Sequence, residues 1–316
     1  MATAGISSLA PRPGVQRAGP GRPCLSTRGS QPLAERRPAG RPTSTAAAAA
    51  DPAARPPQPA LPTLYDVPVS NYCARVRYVL YAKGLVEAGA VALASPADLG
   101  GLASPAYRAL NPHGKMPVFH LGAGTRLPTS PASPQGDALY EADAIVRYVC
   151  ARWAGVGPSF EPPTPEAAAL SDLTIRVMDS YLFPHQGCMY KGGMEAGARA
   201  AGLAAIAAEL DVLDGLVSGG PRVGEAWSPA DACLFPTLVF CDQILPSHFG
   251  WEGLWEKRPR LGAHYAHMRD ADPAGVRVVA EMMGGLAAWE GAEGGGRWEA
   301  LGIADQVRAD PGAFRH

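Results

Sequence analysis

Thr63-Leu64-Tyr65-Asp66-Val67-Pro68-Val69-Ser70-Asn71-Tyr72-Cys73-Ala74-Arg75-Val76-Arg77 runs from a β pattern through a proline turn into a helix. Pro62 to Val67 reads as a strand closed by Pro68. Ser70 caps a helix that continues to about Lys83 and stops at Gly84. Val76, Val79 and Leu80 recur at helical spacing and are expected in the core. Ser70, and Cys73 one turn on, stand where helix N–H groups and the helix dipole favour an anion. Such a corner keeps a thiolate ionised. The thiolate is either the protein's own or one brought by a ligand, and both readings stay open at this point.

Outward from this segment, Val91 to Leu93 reads as a second strand and Ser104 to Leu110 as a short helix ended by Asn111-Pro112. Met116 to His120 reads as a third strand, with Ala138 to Tyr140 as its hairpin partner. The segment between them, Gly122 to Asp137, is longer than a hairpin needs and reads as a surface insertion. Glu141 to Trp153 is helical. The order strand–helix–strand, then strand–strand–helix, describes a small α/β unit over residues 61–154. After a linker rich in Pro and Gly, residues 165–290 carry only helical patterns: Pro165 to Tyr190, Met194 to Val217, Pro229 to Leu245, Pro259 to Asp270 and Pro273 to Trp289. Ser228-Pro229-Ala230-Asp231 places a cap, a proline at the first helical position and an acid three residues after the cap, which is a capping box. Residues 291–316 are Gly-rich and read as an irregular tail anchored by Trp298.

The 316-residue chain has 47% hydrophobic residues and a net charge of -1. No apolar run reaches the roughly 18 residues of a membrane span, so no membrane partner is expected. Residues 1–55 differ from the remainder. They hold eight arginines against Glu35 and Asp51, with abundant Ser, Thr, Pro and Ala. That composition resembles an organelle transit peptide, and its prolines favour a chloroplast over a mitochondrial address. A mitochondrial or cytoplasmic location is the runner-up, and a disordered basic tail is the plainer reading of the segment. Without it the bases fall from 28 to 20 and the acids from 29 to 27, a net charge of -7, which leaves no basic surface for nucleic acid. Cys24, Cys73, Cys150, Cys188, Cys233 and Cys241 form no CxxC and no Cys/His spacing for zinc, so reduced thiols and no metal are expected.

Four places, in this order, resemble the glutathione S-transferase family. They are Leu64-Tyr65-Asp66 through Ser70 to Arg75-Val76-Arg77; Asn111-Pro112-His113-Gly114-Lys115-Met116-Pro117-Val118; Glu141-Ala142-Asp143-Ala144-Ile145; and Ser228 to Asp231 with Leu234-Phe235-Pro236. The resemblance spans roughly residues 62–290. It implies a thioredoxin-like α/β domain followed by an all-α helical domain, a homodimer, and glutathione as co-substrate.

It also implies roles for residues. Ser70 matches the serine that donates a hydrogen bond to the glutathione sulfur. Met116 would present its backbone to the tripeptide, ahead of a cis bond to Pro117. Lys115 or His113 would meet the glycyl carboxylate, and Glu141 and Ala142 open the helix that binds the γ-glutamyl carboxylate. Relatives carry a hydroxyl where Ala142 stands, so weaker glutathione binding is expected here. Asn71 replaces a proline that most relatives carry. Tyr65, Arg176, Tyr181, His185 and Tyr190, with Gln186 and Cys188, are candidates to line the cleft for the second, hydrophobic substrate.

The expected function is glutathione conjugation to an electrophile or reduction of a peroxide, a detoxifying chemistry. Two alternatives stand beside it: a non-catalytic carrier of hydrophobic ligands, and a glutathione-dependent reductase working through Cys73 as a second thiol of lowered pKa. A plainer role for Cys73 is a small buried residue.

Overall fold

The structure, a computed structural model, describes residues 58–129, 134–291 and 296–316. The transit-like segment therefore lies outside the described residues. Strands β1 (Thr63–Tyr65), β2 (Ala92–Ala94), β3 (Val118–His120) and β4 (Ala138–Tyr140) form one sheet in the order β2-β1-β3-β4. β1 pairs parallel with β2 and antiparallel with β3, and β3 pairs antiparallel with β4.

Side chains alternate across this sheet, as a pleated strand requires. Leu64 and Phe119 point to the face covered by α1 (Asn71–Ala82) and α3 (Ala142–Arg152). Tyr65, Val118 and Ala138 point to the other face, beneath α2 (Pro105–Leu110). Val76, Val79 and Leu80 of α1 are fully buried, as their spacing predicts.

Helices α4 (Pro165–Val177), α5 (Phe183–Gln186), α6 (Ala196–Leu216), α7 (Pro229–Phe249), α8 (Pro259–Asp270) and α9 (Pro273–Gly291) build the second layer. α1 packs against α3, α7 and α9, so one hydrophobic core runs through both halves. The capping box at the head of α7 is present: Ser228 N–H donates to Asp231 at 2.8 Å. Among the described residues no helix is long and apolar enough to cross a membrane.

Two expectations need correction. The helical pattern over Pro165 to Tyr190 is not one helix. α4 passes into a π-helical turn at Met178–Leu182, then α5, then a 3₁₀ turn at Gly187–Met189. Pro184 sits in the first turn of α5, where its missing N–H costs little. The tail is not irregular either. It holds α10 (Arg297–Ala300) and α11 (Ile303–Ala309), short helices fixed by the buried Trp298, Ile303 and Phe314.

Candidate functional site

The β1–α1 corner is rigid because Arg77 staples it. The Arg77 guanidinium is buried, donates to both Asp66 oxygens at 2.7 Å and to the Pro68 carbonyl at 2.7 Å, and pairs with Glu281 at 3.1 Å. Gly285 of α9 lets that helix close on the same corner, since a Cβ there would lie 2.8 Å from the Val69 nitrogen. Ser70 caps α1, and its Oγ accepts from the Cys73 N–H at 3.3 Å.

This corner opens onto a cavity of about 710 Å³ between the sheet domain and the helical layer. On the sheet side it is lined by Val67, Val69, Ser70, Asn71, Leu102, Asn111, Gly114, Lys115, Met116, Pro117, Glu141 and Ala142. On the helical side it is lined by Phe183, Gln186, Tyr190, Lys191, Phe240, Leu286 and Trp289, with Tyr72 between the two.

Each polar feature of the sheet side has a local cause. The Met116–Pro117 peptide is cis, as the family resemblance implies. The turn before it is held by Asn111, whose Nδ2 donates to the Lys115 carbonyl at 2.7 Å, and by Tyr107, whose hydroxyl donates to the same carbonyl at 2.9 Å. Glu141 has φ 72° and ψ 117°, and it is the one non-glycine residue at positive φ among those described. A conformation of that kind costs about 1–3 kcal/mol and collects at functional sites. It starts α3 at Ala142, and the N–H groups of Ala142, Asp143 and Ala144 have no protein acceptor among the described residues.

The head of α1 is less open than the sequence suggests. The Tyr72 N–H is taken by Asn71 Oδ1 at 3.0 Å and the Cys73 N–H by Ser70, so in this turn only the Asn71 amide lacks an acceptor among the described residues. The richer set of free donors is at α3.

The other predicted residues divide. Cys73 is fully buried, and burial pushes its thiol up to about 12, against smaller lowering effects from hydrogen bonds with Ser70 and Val67. It does not line the cavity and is a thiol at neutral pH, which corrects the expectation of a lowered pKa. Tyr65 is buried on the opposite face of the sheet, edge-on to Tyr107 at 6.5 Å. Arg176, Tyr181 and His185 are exposed and lie outside the cavity lining. The π turn shifts the helical phase, so Phe183, Gln186 and Tyr190 face inward instead. Of the five second-substrate candidates in the α/β and helical domains, only Tyr190 lines the cavity. Gln186 lines it as well, whereas Cys188 is buried outside the lining. His113 is exposed and packs its ring edge-on to Tyr140 at 5.7 Å, so of the two carboxylate candidates only Lys115 lines the cavity.

Several residues escaped the sequence reading: Tyr72, Lys191, Phe240, Leu286 and Trp289. Phe183, Gln186 and Tyr190 do carry a signal, because their i, i+3, i+7 spacing marks one helical face. Asn71 gains an explanation. It is buried, and its Nδ2 donates to Gln186 Oε1 at 2.9 Å and to Thr237 Oγ1 at 3.1 Å, tying the head of α1 to α5 and α7. Among the described residues no group of three His, Cys, Asp or Glu side chains is placed to hold a metal.

Comparison with known proteins agrees with this layout. Residues 64–157 match the family model of the glutathione S-transferase N-terminal domain. Glutathione S-transferase 3 of Zea mays is 32% identical over 124 residues, covering 39% of this chain and 47% of the maize protein. The match thus spans about half the length of that curated relative. Among solved structures, glutathione transferase F2 from Populus trichocarpa superposes with a TM-score of 0.55 at 18% identity, over 71% of this chain and 99% of that one. A glutathione transferase from Burkholderia graminis, solved with two glutathione molecules per subunit, superposes with a TM-score of 0.52 at 20% identity, over 70% and 88%. At such identities the likeness is one of fold.

Proposed function

Because the chain has the glutathione transferase fold and carries that family's N-terminal domain in residues 64–157, we propose that it conjugates glutathione to electrophiles. One observation carries the reading: Ser70, the cis Met116–Pro117 peptide and the head of α3 at Glu141 and Ala142 line a single cavity with an aromatic far wall. In this reading the tripeptide lies along the sheet side. The Met116 backbone pairs with its cysteinyl unit, Lys115 meets one carboxylate and the α3 amides meet the other. The thiol loses its proton to solvent, and Ser70 donates a hydrogen bond to the resulting thiolate. The sulfur forms a bond to the electrophilic carbon, whose leaving group departs with the bonding pair. The protein contributes orientation and anion stabilisation, and glutathione contributes the nucleophile.

The test compares conjugation of a neutral aromatic electrophile by the protein and by Ser70→Ala. Loss of one hydrogen bond to a charged group corresponds to a fall of about 10–100-fold in kcat/KM. Equal rates would remove Ser70 from the mechanism.

A carrier of apolar ligands is the second reading, favoured by Ala142, which offers no hydroxyl to the γ-glutamyl carboxylate, and by the aromatic wall. A calorimetric titration that finds no glutathione binding, with a hydrophobic dye still bound, would select it. A homodimer, and a plastid destination directed by residues 1–55, complete the proposal. A fluorescent fusion of those residues that stays in the cytosol would refute the latter.

A further inference from the structure

The helical side of the cavity has two aromatic walls. Tyr72 and Phe183 stand edge to face, 4.6 Å between centroids. Tyr190 packs on Phe240 at 5.9 Å and on Trp289 at 6.4 Å. Walls of rings favour a flat aromatic guest, through offset-stacked and edge-to-face contacts.

On this side Asp179, which accepts from the Tyr72 hydroxyl, is paired with Arg75 and lies outside the lining, whose charge is that of Lys191. Lys191 directly follows Tyr190, lines the cavity and is exposed, and it pairs with no carboxylate among the described residues. Behind it lies Arg199, fully buried. Its guanidinium donates to the carbonyls of Cys188 and Lys191 and to Gln306 Oε1, all of them neutral acceptors. Lys191 is thus the one charged side chain on the helical side of the lining among the described residues, with Arg199 buried behind it, and Glu141, the acid in the lining, sits on the sheet side. An unbalanced field in a cleft with low-dielectric walls concentrates ligands of the opposite sign.

We infer that Lys191 is a specificity-determining residue and that the second substrate is an aromatic ring bearing an anionic group such as a carboxylate. The inference rests on the conjugating role proposed above. With a halogenated ring the glutathione sulfur bonds to the halogen-bearing carbon, the carbon–halogen bond breaks, and halide leaves with the electron pair. The thiol proton goes to solvent, and the anionic group stays unchanged beside Lys191.

The test uses 4-chloro-3-nitrobenzoate and its methyl ester with the intact protein, Lys191→Met and Lys191→Arg. The ratio of kcat/KM for the acid to that for the ester should fall about five- to tenfold in Lys191→Met, the scale of one partly exposed charged contact. It should be held in Lys191→Arg. An unchanged ratio in Lys191→Met overturns the inference. If the intact protein turns over neither compound, the conjugating role fails by itself. The anion preference is then read from the binding of anilinonaphthalene sulfonate: a five- to tenfold loss in Lys191→Met supports it, and equal affinity overturns it.

Discussion

Ala142 stands at the first position of α3, lining the cavity, its amide and the two that follow lacking acceptors among the described residues, and it has no side-chain donor of its own. Restoring a hydroxyl with Ala142→Ser should tighten glutathione binding about tenfold or more, the scale of a hydrogen bond to a charged group. Calorimetry reads this directly, and an unchanged affinity would place the γ-glutamyl carboxylate elsewhere. Cys73 makes the opposite case. With its thiol held up near 12 by burial, it stays protonated throughout the neutral range. Cys73→Ser should therefore keep most of the conjugating activity, and abolished activity in a folded variant would revive the reductase reading. The place of Ser70, Lys115, Met116 and Pro117 in the cavity lining was legible because they lie in contiguous motifs with local turn signals. Tyr65 was misplaced because residue type says nothing about which sheet face it occupies. The alternation Leu64-in, Tyr65-out was readable from the strand period, and it puts the tyrosine beneath α2.

At the scale of elements, the site depends on how α1 is held. Asn71 joins it to α5 and α7, and the Arg75 guanidinium reaches the π turn, meeting Asp179 at 2.8 Å. Asn71→Ala strands the buried Gln186 and Thr237 groups and should cost about 1–3 kcal/mol of stability in denaturant unfolding. Arg77→Met leaves Asp66 without its buried partner and should cost more, about 3–5 kcal/mol. Losses below about half a kcal/mol in both would contradict the view that these contacts fix the corner. The tie made by Asn71 could not be read from the sequence, since its partners are 115 and 166 residues away. The π turn had no local signal either. Its extra residue per turn moved Tyr181 and His185 outward, and with them that part of the cleft assignment.

For the molecule as a whole, the order of an α/β unit followed by a helical one was legible because hydrophobic period and turn residues change together near residue 155. The helices of the tail were not, because four and seven residues are too few to show a period. A pair of buried groups at the α7–α8 contact gives the folded state an acid response. His264, with Nδ1 4.0 Å from Asp231 Oδ1, is lowered by burial to about 4 from an ordinary 6.5. The unfolded chain binds that proton first, so stability is lost as pH falls from 6.5 to 4. Asp231 is raised by burial to about 6 from 3.8, so it acts in the opposite sense and stability is lost as pH rises through that window. The two offset each other between pH 4 and 6. His264→Gln should remove one side, so that the denaturation midpoint rises toward acid; a pH profile identical to that of the parent protein would contradict the assignment. The central claim, a cavity at the head of α1 that ionises a bound thiol, is tested most directly by titrating the ultraviolet thiolate absorbance of glutathione on the protein and on Ser70→Ala. The account predicts a bound thiol titrating at least about one unit below the ordinary value near 8.5, with Ser70→Ala returning it toward that value. Absent binding, or the same titration on both proteins as in free solution, would contradict it.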